Sequence, residues 1–102
     1  MLLIEILLPV TDNAGTPFPR AAFEQVRREL TDRFGGVTAF LRAPASGLWR
    51  DDEGVVRRDE VAIFEVMADD LDEAWWHDYR RTLEKRFDQD EIVVRAVEAR
   101  RL

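Results

Sequence analysis

The chain contains 102 residues, of which 46% are hydrophobic and 35% are charged. This length fits one globular domain spanning residues 1–102 and leaves no room for a second domain of ordinary size. The 15 Lys and Arg residues against 21 Asp and Glu residues give a net charge of −6, without the basic clusters that bind nucleic acids or anionic membranes.

Cysteine is absent, which excludes disulfide bonds, thiolate catalysis and cysteine-based metal sites. Because no local spacing of His and carboxylate residues resembles a metal site, neither a metal nor a cofactor is expected. Residues 1–10 form an apolar run interrupted by Glu5, with no basic residues before it and no small-residue cleavage site. This run predicts a strand rather than a signal peptide, and the protein is expected to be cytoplasmic and bound to no membrane.

The first strand is apolar on both faces, because side chains alternate with period two. Even-numbered residues 2–8 are all Leu or Ile, and the odd-numbered side carries Leu3 and Leu7 around Glu5. A strand with two apolar faces is typical of the centre of a sheet.

A helix is predicted after the turn formers of residues 11–18, with Pro19 in its first turn. Its apolar stripe contains residues at spacings of three and four, namely Phe23, Val26, Leu30 and Phe34. The pair Gly35-Gly36 then predicts a left-handed end to the helix.

Residues 36–70 predict one long β-hairpin, with strands at 37–41 and 60–67 and a tip at 47–54. A second helix follows, for which Asp72 is the predicted N-cap. Its apolar stripe contains Trp76, Tyr79, Leu83 and Phe87, and one of the two neighbours Trp75 and Trp76 is expected at the helix edge or in an interface. Residues 92–97 predict the last strand.

The two predicted helices end in the same pattern, Leu-x-x-Arg-Phe, at residues 30–34 and 83–87. This repeat suggests two β-α-β halves related by a pseudo-twofold axis. The element order β-α-β-β-α-β predicts an α+β fold of the ferredoxin-like type, a four-stranded antiparallel sheet with both helices on one face.

In this arrangement the other sheet face carries an apolar patch made of Leu3, Leu7, Val61, Ile63, Met67, Val93 and Val97. A patch of this size on a small protein usually marks an interface or a ligand groove. The sequence therefore predicts a homodimer formed through the open sheet face, with a dimeric α+β barrel as one geometry.

The same strand phase places Glu5, Glu65 and Arg95 together on that apolar face. Two carboxyl groups in an apolar site raise one pKa and create a candidate general base, with Arg95 as a candidate ligand contact. The alternative is that the three residues form salt bridges within or across an interface.

Two further groups of residues are candidates for chemistry. The single histidine, His77, lies on the second predicted helix and is either a catalytic base or an ordinary surface residue. At the hairpin tip, Trp49, Arg50 and Arg57 are candidates for gripping a carboxylate or a flat ligand. In the alternative interpretation Trp49 packs on the sheet and the charged residues form cross-strand pairs.

Several segments together resemble a bacterial family of small uncharacterised proteins, a domain of unknown function. The matching segments are Gly47-x-Trp49-Arg50-Asp51-x-x-Gly54, Arg57-Arg58, Arg86-Phe87-x-Gln89-Asp90 and Arg33-Phe34-Gly35-Gly36-Val37-Thr38. Two departures are the lack of an export or lipoprotein signal and the presence of Asp88 where the family usually has glycine. The resemblance implies a ferredoxin-like α+β domain and implies no activity.

Two classes of function follow from these patterns. One is a homodimeric binding or interaction module, whose apolar sheet face forms the dimer and whose hairpin tips contact a partner or a small-molecule ligand. The other is a cofactor-free enzyme of the dimeric α+β barrel type, similar to monooxygenases or isomerases, that acts on a small anionic or aromatic substrate. A closed cavity lined by Glu5, Glu65 and Arg95 would favour the enzyme, and a filled interface would favour the module.

Overall fold

The computed structural model describes the backbone of residues 1–50 and 56–102, with side chains for residues 1–40 and 60–102. It contains strands β1 (Leu2–Pro9), β2 (Thr38–Arg50), β3 (Val56–Ala68) and β4 (Val93–Glu98), and helices α1 (Arg20–Phe34) and α2 (Glu73–Arg86). All pairings are antiparallel, in the order β2-β3-β1-β4. The predicted ferredoxin-like α+β fold, with the first and third strands in the centre, is therefore confirmed.

The core lies between the helices and one face of the sheet. It joins the inward residues of β1 and β3 to the apolar stripes of both helices in one cluster, which shows that both helices cover the same face. Residues that are essentially inaccessible in this core include Ile4, Ile6, Leu8, Phe64, Leu30, Leu83 and Phe87. Burial of these side chains is the main stabilising contribution to the fold.

The sequence predicted the C-terminus of α1 and the N-terminus of α2, whereas α1 begins one residue later than expected. Pro19 is the N-cap rather than a residue of the first turn, because its backbone is extended, with a ψ of 147°. At the other end Gly35 is left-handed, with a φ of 81°. In α2 the carboxylate of Asp72 accepts a hydrogen bond from the Trp75 backbone N–H, which confirms the predicted cap.

The hairpin strands are longer than predicted. The ladder between β2 and β3 continues to the pair Arg50 and Val56, so residues 47–50 of the predicted tip belong to the strand. A register shift lies between Phe40 and Ala45, around Pro44, which has no N–H to donate to a ladder. The last strand begins at Val93, one residue later than predicted.

Two ion pairs join the helices, and both use the arginine of the Leu-x-x-Arg-Phe repeat. Arg86 on α2 binds the Glu29 carboxylate through both terminal nitrogens, at 2.6 and 3.0 Å, and the Tyr79 hydroxyl donates to the same carboxylate at 3.0 Å. Arg33 on α1 binds Asp72 at 3.2 Å and lies over the Trp75 ring at 4.6 Å. The C-terminal turn of α2 is thus held by Glu29 of α1, and the C-terminal turn of α1 is held by Asp72, the N-cap of α2.

The Glu29 carboxylate is expected to make stability fall in acid. The hydrogen bond from Arg86 is the main cause that holds the pKa of Glu29 below its ordinary value of 4.5. The folded protein therefore binds fewer protons than the unfolded chain near that pH, so the stabilisation is complete above the ordinary value and disappears as the pH falls through the lowered one.

Urea unfolding of wild type and Glu29→Gln between about pH 6 and about pH 3 measures this contribution. We expect the variant to be less stable by about 1 kcal/mol at the higher pH, because the carboxylate is partly exposed and screened by solvent. The difference should shrink towards zero in acid. A difference that is independent of pH would contradict the assignment.

Candidate functional site

The candidate site is the open face, which we define as the side of the sheet opposite the helices. Alternation along the strands turns the odd-numbered residues of β1 and β3 to this side, and the register aligns them into rows across the sheet. The apolar side chains of this face that the structure describes are Leu3, Leu7, Phe40, Val61, Ile63, Met67, Val93 and Val97. All of these residues are at least partly accessible, and Met67 is 62% exposed.

A polar row crosses the middle of the open face. Glu5 on β1 lies directly opposite Arg95 on β4 and directly opposite Glu65 on β3. The strand order explains this arrangement, because β1 lies between β3 and β4. Thr38 on β2 extends the row beyond Glu65. The structure thus brings Glu5, Glu65 and Arg95 together, and their chemical role stays a prediction.

The contacts within the polar row are unequal. Arg95 donates a hydrogen bond from Nε to Glu5 Oε1 at 3.0 Å, and the Glu5 side chain is only 14% exposed. Glu65 lies on the other side of Glu5, and desolvation, followed by the hydrogen bond and charge of Glu5, raises its pKa. Glu5 is therefore held as the partner of Arg95, whereas Glu65 takes up a proton more readily than an ordinary glutamate does.

A cavity of about 330 Å³ opens at the end of this row, beside Glu65. Its walls are formed by Leu3, Phe34, Val66 and Met67, by residues 35–37, which connect α1 to β2, and by Thr38 at the start of β2. The volume is at the lower end of the range for small-molecule sites. Its polar side chains are Glu65 and Thr38, so the arrangement combines an apolar wall with one carboxyl group and one hydroxyl group.

The other candidate residues are not part of this cluster. His77 is exposed on α2 and lines a separate cavity of about 220 Å³ together with Arg80 and Arg95, whereas neither Glu5 nor Glu65 lines that cavity. Trp49 pairs with Arg57 across the hairpin ladder. The side chains of Trp49, Arg50 and Arg57 lie outside the part of the chain that the structure describes.

Within the described residues, no group of three or more His, Cys, Asp or Glu side chains is placed to hold a metal ion. The same residues include no helix that is both long enough and apolar enough to cross a bilayer.

Two features of the site region were not identified from the sequence. Phe40 adds an exposed aromatic ring to the open face. The sequence could have indicated this position, because Phe40 and Thr38 are two residues apart in β2 and therefore lie on the same face. The ion pair between Arg86 and Glu29 was also missed, although the repeated Leu-x-x-Arg-Phe pattern marked Arg33 and Arg86 as equivalent positions.

The fold and site together define a ferredoxin-like α+β protein with an apolar open sheet face crossed by one charged row. No protein-family model matches the chain, and no curated protein matches it. Among solved structures the chain resembles a phage SAM lyase in complex with S-methyl-5'-thioadenosine. The TM-score is 0.61 at 11% identity, over 95% of this chain and 80% of that one. At this identity the likeness shows a shared fold, and function depends on the site rather than on the fold.

Proposed function

We propose that the protein is a homodimeric binding or interaction module whose two copies meet through the open face. The observation that carries this proposal is the exposure of large apolar side chains on that face. Phe40, Val93 and Val97 are each close to half exposed, and Met67 is more exposed still. Covering this face removes apolar surface from water, and association is favourable for that reason.

A second copy of the chain is the occupant that the charges favour. The whole chain carries a net charge of −6, which opposes close approach of two copies through most surfaces. On the open face, however, Glu5 is already paired with Arg95, and Glu65 is the one remaining described carboxyl group of the row. Among the described side chains of the row the charges therefore nearly cancel, and two copies meet there with little repulsion.

Sedimentation velocity of the purified protein tests this proposal. At micromolar concentration we expect a species of twice the 11.9 kDa chain mass, with dissociation on dilution. A chain that sediments as a monomer at every accessible concentration would contradict the proposal.

We also infer membership of the bacterial family of uncharacterised proteins that the hairpin motif resembles. One backbone feature supports this inference. Asp88, at the position where that family usually has glycine, has a φ of +50°, in the left-handed region that glycine adopts without steric cost. Separately from this family membership, we propose a cytoplasmic location, supported by the lack of cysteine in the sequence.

The second candidate function is a cofactor-free enzyme of the dimeric α+β barrel type. The observation that favours it is the cavity beside Glu65, where desolvation and the neighbouring Glu5 raise the pKa of the carboxyl group, as in many proton-transfer sites. The structural neighbour binds S-methyl-5'-thioadenosine, so that molecule is a reasonable first probe.

Thermal shift assays of wild type and Glu65→Gln with S-methyl-5'-thioadenosine, and with a panel of aromatic carboxylates, test this candidate. Stabilisation that depends on Glu65 would favour the enzyme. If the melting temperature rises equally in wild type and Glu65→Gln, or in neither, the result would favour the binding module.

A further inference from the structure

The open face is organised into three cross-strand rows, which run from β4 through β1 to β3. The outer rows are apolar and the middle row is charged. From β4 to β3 the rows are Val97, Leu3 and Met67, then Arg95, Glu5 and Glu65, then Val93, Leu7 and Ile63. The pattern therefore has apolar residues above and below a single line of charge.

The middle row is asymmetric, with a cation at one end and a carboxyl group at the other. Arg95 and Glu65 are separated by β1, so their Cα atoms are about 10 Å apart, two strand spacings. The Arg95 side chain is 52% exposed, and its hydrogen bond to Glu5 uses Nε. Among the ion pairs of the described residues, Arg95 is paired with Glu5, and none joins Arg95 to Glu65 in the same copy.

Building on the homodimer proposed above, we propose that two copies stack face to face about a two-fold axis parallel to strand β1. Rotation about this axis keeps the strand direction and exchanges the β4 side with the β3 side. Arg95 of each copy then lies over Glu65 of the other copy. The second copy thus supplies a cation to the Glu65 carboxyl group, for which the described residues include no ion pair within one copy.

The other aligned stacking has its two-fold axis perpendicular to the strands, and it places like charges together. That rotation keeps β4 over β4 and β3 over β3, so Arg95 meets Arg95 and Glu65 meets Glu65. Like charges opposed across an interface are unfavourable and select against this geometry. Both stackings are aligned sheet packings, so the charge pattern decides between them.

The apolar rows are compatible with the axis parallel to β1. In that geometry Val97 of one copy meets Met67 of the other, and Val93 meets Ile63, while Leu3 and Leu7 lie near the axis and meet their own equivalents. Larger side chains on β3 therefore face smaller ones on β4, which is favourable for interdigitation of the two sheets. With the perpendicular axis, Met67 would instead meet Ile63.

Engineered cysteines distinguish the two geometries, because the natural chain has none. Stacked sheets lie about 10 Å apart, which is beyond disulfide reach, so the cysteines are joined with a short bismaleimide. Met67→Cys/Val97→Cys should cross-link between copies if the axis is parallel to β1, and Ile63→Cys/Met67→Cys should cross-link if the axis is perpendicular. A link within one chain leaves the chain mass unchanged, so only a link between copies gives a covalent dimer on a denaturing gel.

We expect the first variant to become mostly covalent dimer on a denaturing gel and the second to stay mostly uncross-linked. The opposite result, or no cross-link in a protein that still sediments as a dimer, would overturn the geometry and leave the homodimer standing. If both reduced variants and wild type sediment as monomers, the homodimer itself fails.

A charge exchange tests the same contact without cysteines. Arg95→Glu and Glu65→Arg should each weaken dimerisation by about tenfold or more, because each leaves like charges facing each other between copies. The double variant should return to within about threefold of wild type, since it restores opposite charges both between the copies and beside Glu5. Additive weakening in the double variant would overturn the proposed contact.

Discussion

Replacement of Leu7 by arginine is expected to convert the dimer into a monomer. Leu7 lies on the open face between Ile63 and Val93, near the centre of the proposed interface. An arginine there would place an unpaired charge in a desolvated apolar contact, and the two-fold axis would bring two such charges together. Because each 1.4 kcal/mol changes an affinity tenfold, a penalty of about 3 kcal/mol or more weakens association by about 100-fold or more.

Gln25→Arg is the matched control, since it adds the same charge at an exposed position of α1. We expect this variant to sediment as wild type does. Circular dichroism should show that both variants keep the native fold, because the Leu7 side chain lies outside the core cluster. If Leu7→Arg dimerises with wild-type affinity, the open face is not the interface.

Phe87→Ala is expected to cause the largest loss of folding stability. The ring is fully buried at the end of α2 and contacts Phe18 edge-on at 5.0 Å and Phe23 at 5.8 Å between centroids. Truncation of a buried phenylalanine typically costs about 3 to 5 kcal/mol, which combines lost burial with the cavity that remains. This is a large share of the roughly 5 to 15 kcal/mol that stabilises a domain.

Phe34→Ala is the comparison, because Phe34 occupies the equivalent position of the Leu-x-x-Arg-Phe repeat but is only partly buried. Its ring packs on Trp75 and Trp76 at 5.4 and 5.3 Å, so we expect a smaller cost of about 1 to 2 kcal/mol. Urea unfolding of Phe87→Ala and Phe34→Ala, with dimer dissociation included in the analysis, measures both losses of stability. Equal losses would contradict the unequal burial of the two rings.

The position of Glu5, Glu65 and Arg95 in one row could be predicted because two rules were sufficient. Side chains alternate along a strand, and the ferredoxin-like topology places β1 between β3 and β4. The helix stripes and the Asp72 cap were predictable for a similar reason, since they depend on residues close together in the chain.

Features that depend on long-range partners could not be predicted. The extension of β2 beyond Leu41 includes Pro44 and Gly47, which are poor strand formers, and it depends on pairing with β3 rather than on local preference. The pair between Glu29 and Arg86 joins residues that are 57 positions apart in the sequence and lie on different helices, and helix periodicity contains no information about such a partner. Proline is compatible both with the N-cap and with the first turn of a helix. The sequence alone therefore could not decide whether Pro19 lies before α1 or inside it.

The most direct test of the central claim is a nuclear Overhauser experiment on a mixed sample of isotope-labelled and unlabelled chains, which detects contacts between copies only. We expect contacts between copies from the methyl groups of the open face, with Met67 to Val97 and Ile63 to Val93 among them. A dimer whose contacts between copies involve only the helices or the sheet edges would contradict the proposal that the open face is the self-association surface.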